Sequence, residues 1–356
     1  MTLLPNQTNA GTLAKTLVVD TDVHEHLKSV KDLVPYLDEP WKGLVVSGTF
    51  SGLGSPYATW NKKLDAEPPS GGPLGSDLPF LRKQLLEEYQ ISKAILTGMF
   101  YPATMEMQFE FAAALASAYN SWMIEHWLDK DDRFLGSVQI APQEPQLAAR
   151  EIDRVGSHPR MVQVLMPVAQ WAYGDPMYHP IYEAAERNNL AIAFHQSKWV
   201  KGPFGFGRYY VERHMTFPGS GMSTLASLFC NGVFDKFPKL RFVMLELGFT
   251  WLNHVMWRFD REYRQLRHEI PWVKGMPSEY FLERVRFSTQ PVEDISGKQL
   301  MDFLNLIGTD DILMFATDYP HFDFDSPTNS IPAGVPQSTR EKILYKTACE
   351  FYNLTL

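Results

Sequence analysis

The chain has 356 residues, 45% of them hydrophobic, and sets 33 Lys and Arg against 41 Asp and Glu for a formal charge of -8. This is enough apolar material for one large domain, and an acidic chain with no basic run is a poor match for nucleic acid. Only Cys230 and Cys349 are present, which excludes a disulfide framework and a thiolate metal site and suits a reducing cytoplasm.

No stretch approaches the roughly 18–20 apolar residues of a membrane span, and no targeting signal is read at the start. In chain order, Val18–Val23 reads as a buried strand running into Asp20, Asp22, His24 and His26. Strict alternation places these four side chains on one face, and carboxylates or imidazoles at a buried strand end demand a partner or a cation. A short helix over Val30–Leu37 follows. Pro40–Asp77 is then rich in Gly, Pro and aromatic residues, among them Trp41, Phe50, Tyr57 and Trp60, and is expected to be a lid or a subunit contact.

From Asp77 onward, helical and strand-like segments alternate. Strands are expected at Ala94–Leu96, Leu135–Ile140, Val162–Leu165, Leu190–Phe194, Leu240–Leu245, Val285–Ser288 and Ile312–Phe315, with helices between them. With the first strand this makes eight, the number that closes a parallel (β/α)8 TIM barrel with inserted βα loops, here one domain over residues 1–356. Catalytic groups of such a barrel sit where strands end. The polar residues at those ends are Asp22 and His24, His195, Glu246 and Asp318. An open, doubly wound sheet also alternates, but it would not bring the first and last strands together.

The loop FGFGRYYVERHMTFP after the fifth strand lies over the mouth of such a barrel. Arg208, Tyr210 and Arg213 are candidates to bind an anionic or aromatic substrate, and His214 is a candidate acid, base or substrate contact; a subunit-contact loop is the alternative. His321, just after Asp318, is a candidate mouth residue, and His26 a candidate support for the cation's ligands. His126, His158, His179, His254 and His268 fall on helices or turns, where packing is the simpler reading. No G-x-S-x-G stretch is present, which argues against a serine hydrolase.

Four segments, DTDVH, FHQ, FPKLRFVMLELGFTWLNHVMWRFD and FATDYPH, occur in an order and spacing that resembles the amidohydrolase superfamily. The resembling branch includes aminocarboxymuconate semialdehyde decarboxylase, γ-resorcylate decarboxylase and 5-carboxyvanillate decarboxylase. The resemblance implies metal ligands at Asp22, His24, His195 and Asp318, with Asp318 also placed to take a proton from metal-activated water. Two positions depart from the pattern. Asp22 stands where His or Glu is frequent, and Glu246 stands where the characterised decarboxylases carry a catalytic histidine. Glu246 is therefore expected to accept a proton, orient His214 or buttress the mouth. Two imidazoles and two carboxylates suit one divalent ion, zinc first, with manganese or iron as alternatives. The leading expectation is a cytoplasmic, homo-oligomeric metal-dependent hydrolase acting on a small carboxylated or aromatic substrate. The alternative is a non-oxidative decarboxylase of a hydroxybenzoate-like acid.

Overall fold

The computed structural model describes residues 17–50, 62–168, 171–197, 205 and 207–356. Eight parallel strands pair in sequence order: β1 (Val19–Val23), β2 (Lys93–Leu96), β3 (Phe134–Gln139), β4 (Met161–Pro167), β5 (Ala191–His195), β6 (Phe242–Leu245), β7 (Val285–Ser288) and β8 (Leu313–Met314). The expected (β/α)8 barrel is present. Its strands are buried almost throughout, which is why they read as apolar runs rather than as a polar alternation.

Closure is made where the chain's two ends meet. A bridge joins Val23 to Tyr319. Backbone N–H groups of Thr21, His24 and Asp318 donate to the carbonyls of Phe315, Tyr319 and Asp22 at 3.0, 2.8 and 3.1 Å. The Asp20 carboxylate accepts from the Thr317 N–H and hydroxyl at 2.9 and 2.6 Å. This seam therefore lies directly beneath the polar strand ends.

Helices alternate with the strands. α1 (Trp41–Val46) and α2 (Leu78–Leu81) precede β2; α3 (Phe109–His126), α4 (Pro145–Val155) and α5 (His179–Arg187) follow β2, β3 and β4. After β5 come α6 (Tyr210–His214), α7 (Phe217–Cys230) and α8 (Val233–Lys236), and after β6 come α9 (Leu252–Leu266) and α10 (Pro277–Arg284). α11 (Gly297–Ile307) links β7 to β8, and α12 (Gln337–Glu341) and α13 (Thr347–Tyr352) end the chain. Phe351 and Tyr352 of α13 pack with Val19, Ile95 and Leu165 of the inner cluster, and the Tyr352 hydroxyl donates to Gln163 at 2.6 Å, so this helix stops the N-terminal end of the barrel.

Two local differences from the sequence reading have physical causes. α7 begins at Phe217, seven residues before the expected Thr224, and includes Gly221, which serves close packing rather than a turn. A Cβ on Gly221 would come 2.9 Å from the Trp251 ring. The excursion after Pro40 is not irregular throughout: it opens with α1, whose Trp41 meets Phe111 at 5.5 Å between ring centroids, and Phe50 meets the same ring at 5.1 Å. Tyr57 and Trp60 lie outside the described residues. From residue 62 the segment runs along the barrel mouth, with the Lys63 N–H on the Pro320 carbonyl and the His26 N–H on the Gly75 carbonyl.

Candidate metal centre

Simple alternation does not hold along β1. Its register shifts between Asp20 and Val23, so Asp20 turns to Thr317 across the seam, and the His26 ring nitrogen Nδ1 pairs with the Leu27 carbonyl at 2.6 Å. Of the four residues expected on one face, Asp22 and His24 reach the mouth. On β5 alternation does hold: Ala191 and Ala193 join the inner cluster, Ile192 and Phe194 the outer one, and His195 continues the inner row.

Both imidazoles are fully buried and fixed in the same manner. His24 Nδ1 lies 2.7 Å from the Gly98 carbonyl and His195 Nδ1 lies 2.6 Å from the Gln196 carbonyl. A carbonyl only accepts, so Nδ1 carries the hydrogen and Nε2 turns to the mouth. His24 Nε2 is 3.5 Å from Asp22 Oδ1 and 2.8 Å from Asp318 Oδ1, and His195 Nε2 is 3.2 Å from Asp22 Oδ2. Atoms about 2.1 Å from one ion at tetrahedral or octahedral angles are about 3.0–3.4 Å apart, close to these separations.

The ligand atoms of Asp22, His24 and His195 form one group within 4.8 Å of one another, and those of His24, Asp318 and His321 form a second that shares His24. The Thr97 hydroxyl donates to Asp22 Oδ1 at 2.6 Å, and His321 Nδ1 is 2.7 Å from Asp318 Oδ1.

Electrostatics at the mouth call for a cation. Burial disfavours a charged His24, but the Asp22 and Asp318 carboxylates outweigh it and raise its pKa to about 10. Burial likewise opposes ionisation of Asp22 and Asp318, yet the imidazoles beside them hold both below the usual carboxylate range. Asp22 Oδ2, His195 Nε2, Glu246 Oε2 and Asp318 Oδ2 are buried without a hydrogen-bond partner among the described residues. Buried polar atoms are rarely left so, and a divalent ion fits this donor set.

The facing wall comes from the loops after β5, β6 and β8. Glu246 Oε2 is 3.7 Å from His195 Nε2, and His214 Nε2 is 3.8 Å from Glu246 Oε1 and 3.9 Å from Asp323 Oδ2. Burial, with Asp318, Asp323 and Asp22 nearby, raises the Glu246 pKa well above normal, and burial with Asp318 raises Asp323 to about 6. Burial and the Arg213 guanidinium lower His214 to about 4. The His214 ring touches Phe217, Tyr210 and Phe322 at centroid distances of 4.7, 5.2 and 5.9 Å. Arg213 is buried, donates to Gln196 Oε1 at 2.6 Å and lies over Phe217 and Tyr210.

The structure thus gathers Asp22, His24, His195, Asp318, His321, Glu246, His214, Arg213 and Tyr210 about one mouth. Arg208 stands apart, exposed and over the exposed Tyr209 ring. Asp323 belongs to the mouth but was not singled out from sequence; the run of acids after Asp318 in DYPHFDFD is the only signal for it.

A model of the amidohydrolase family matches residues 19–354. The chain belongs to the amidohydrolase family. Among curated family members, it is 24% identical over 310 residues to the γ-resorcylate decarboxylase of Polaromonas sp. JS666, covering 78% of this chain and 88% of the relative. It is 24% identical over 306 residues to that of Rhodococcus jostii, with the same coverages. Solved structures share the fold. The 5-carboxyvanillate decarboxylase of Sphingomonas paucimobilis matches with a TM-score of 0.67 at 21% identity, covering 96% of this chain and all of that one. That of Novosphingobium aromaticivorans, complexed with manganese and 4-hydroxy-3-methoxy-5-nitrobenzoic acid, gives 0.69 at 19% identity over 95% of this chain and 96% of its own. No helix of the described residues is long and apolar enough to cross a membrane.

Proposed function

We propose that this amidohydrolase-family protein is a metal-dependent, non-oxidative decarboxylase of a hydroxybenzoate-like acid, the alternative above rather than the hydrolase first expected. The observation that carries the reading is the pairing of two walls on one mouth: partnerless buried ligand atoms on one side, and on the other an imidazole set among aromatic rings beside a buried arginine. The γ-resorcylate decarboxylase activity of the relatives supports it. So does manganese in the related 5-carboxyvanillate decarboxylase, which favours manganese over zinc here.

Asp22, His24, His195 and Asp318 would hold the divalent ion. When bound, the ion supplies a positive centre for the carboxylate and adjacent phenolic oxygen of the acid. Arg213 and Tyr210 orient the acid from the facing wall, and Phe217 and Phe322 keep water from its ring. Loss of CO2 leaves an electron pair on a ring carbon, which must take up one proton. His214 is the imidazole assigned to relay it from solvent: burial and Arg213 keep the resting ring neutral, so it accepts a proton on one nitrogen as it gives one up from the other, with 18% of its side chain exposed and its Nε2 buried. His321 holds Asp318 in place. The same reading includes a homodimer, with Tyr209, Val211 and Met215 on the rim 57, 68 and 76% exposed; a monomeric mass by light scattering at micromolar concentration would remove that part.

The test is to incubate manganese-loaded protein with carboxyl-13C 2,6-dihydroxybenzoate and 5-carboxyvanillate. Release of labelled CO2 with formation of the decarboxylated phenol is expected. Turnover of esters or lactones with oxygen uptake from 18O-water, and no labelled CO2, would restore the hydrolase reading.

A further inference from the structure

We infer that Glu246 is a fifth protein ligand of the metal, alongside Asp22, His24, His195 and Asp318. The inference rests on the metal reading of the mouth and not on which reaction follows. On β6, Val243 and Leu245 join the inner cluster and Phe242 and Met244 the outer one. Continued alternation would send Glu246 outward into the apolar layer. Instead its backbone turns left-handed, with φ 55°, and its N–H is anchored on Ser288 Oγ at 3.1 Å.

That turn brings the carboxylate back over the mouth. Asp318 makes the same turn at the end of β8, with φ 56°. The other non-glycine residues in this conformation among those described are Gln90, Asn189 and Asn353, so Glu246 and Asp318 are its two acids. Left-handed backbone disfavours residues with a Cβ, and at functional sites it persists where it aims a side chain.

The aim of Glu246 is toward the ligand atoms. Its side chain is 2% exposed, its Oε2 has no hydrogen-bond partner among the described residues, and that oxygen is 3.7 Å from His195 Nε2. His195 Nε2 also lacks such a partner and faces Asp22 Oδ2 at 3.2 Å. Two buried, partnerless oxygens, Asp22 Oδ2 from β1 and Glu246 Oε2 from the end of β6, therefore approach the same ring nitrogen of His195 on β5, at 3.2 and 3.7 Å. The ion pairs of Glu246 among the described residues are with His195 and His214, so no arginine or lysine fixes it as a rim salt bridge. A third carboxylate in the set shifts it toward hard, oxygen-preferring ions, and so toward Mn2+ rather than Zn2+.

The test uses full-length protein stripped of metal and titrated with Mn2+ by calorimetry, then loaded with Co2+ for its visible d–d absorption. Wild type is expected to take one ion per chain. Glu246→Gln is expected to bind Mn2+ at least tenfold more weakly and to give a shifted, more intense Co2+ spectrum, because coordination number falls. Glu246→Asp, which keeps the charge and shortens the reach, is expected to fall between the two and serves if the Gln variant folds poorly. An unchanged affinity overturns the assignment, and so does a weaker affinity with an unchanged Co2+ spectrum, which would place Glu246 outside the coordination sphere. A wild type that binds neither ion removes the metal reading itself, a result distinct from either.

Discussion

Of the four histidines at the mouth, His24 and His195 have roles that follow from which nitrogen is occupied. With Nδ1 of His24 on the Gly98 carbonyl and Nδ1 of His195 on the Gln196 carbonyl, each ring has its orientation fixed in advance, and an ion that displaces any proton from Nε2 meets one tautomer. His195→Ala is expected to leave the far-ultraviolet circular dichroism unchanged and to drop manganese from about one ion per chain to a small fraction of that, read by elemental analysis after dialysis; full retention would remove His195 from the ligand set. Thr97 supplies a subtler test, because its hydroxyl donates to Asp22 Oδ1 and so orients that carboxylate. Thr97→Val should weaken manganese binding about 10- to 100-fold with the ligands intact, and a calorimetric affinity equal to wild type would contradict the arrangement. That Asp22, His24, His195 and Asp318 would meet at one mouth was legible in the sequence, because a barrel exposes its chemistry at strand ends. Asp323 was not, since its place depends on how the loop after β8 folds back toward His214, and a loop's path has no periodicity to read.

Between elements, the sequence reading succeeds where burial alone decides and fails where backbone conformation does. Eight apolar runs became eight strands in the expected order. Glu246 was expected at the mouth, but the left-handed backbone that puts it there and the register shift in β1 were illegible, because both break the alternation on which the reading depends. Gly75 shows how closely a loop is fitted to the site: it has φ +73°, and a Cβ there would lie 2.2 Å from the His24 carbonyl oxygen. Gly75→Ala is expected to cost on the order of 2 kcal/mol and to lower metal content as well, because relief of the clash must move His24; a melting temperature and metal content equal to wild type would contradict this. At the opposite end of the barrel, Asp131 joins Arg82, next to α2, and Arg133, next to β3, at 2.8 and 2.7 Å. Burial opposes ionisation of Asp131, but the guanidinium groups outweigh it and hold its pKa below normal. Its contribution is therefore complete above the unfolded value of about 3.9 and is lost as pH falls through the lower folded value. Asp131→Asn should lower stability by about 1–2 kcal/mol at pH 7, and denaturation curves of mutant and wild type should converge in acid. A difference that persists at low pH would assign the loss to packing instead.

For the whole molecule, the decisive feature is where the barrel closes. Neighbouring strands from β1 through β8 are joined by parallel ladders, two of them with a register shift, whereas β8 returns to β1 through one bridge, between Val23 and Tyr319, and a few bonds around it. Asp22 precedes one side of that bridge and Asp318 the other, so an ion held by both would span the seam while offsetting repulsion between buried carboxylates. Metal binding and barrel closure should then be one event thermodynamically. An ion that binds only the folded chain, at a concentration 100 times its dissociation constant, adds about 2.7 kcal/mol of stability, which for a chain of this size raises the melting temperature by several degrees. The added protection should also be local. Hydrogen exchange at the amides of Thr21, His24 and Asp318, which donate across the seam, is expected to slow on adding manganese far more than exchange at Ile192 or Val164 in β5 and β4, whose pairings lie away from it. Uniform slowing of all strands would show that the ion stabilises the molecule as a whole without acting as a clamp. Unchanged exchange at the seam with tight manganese binding would mean that Asp22 and Asp318 do not share the ion.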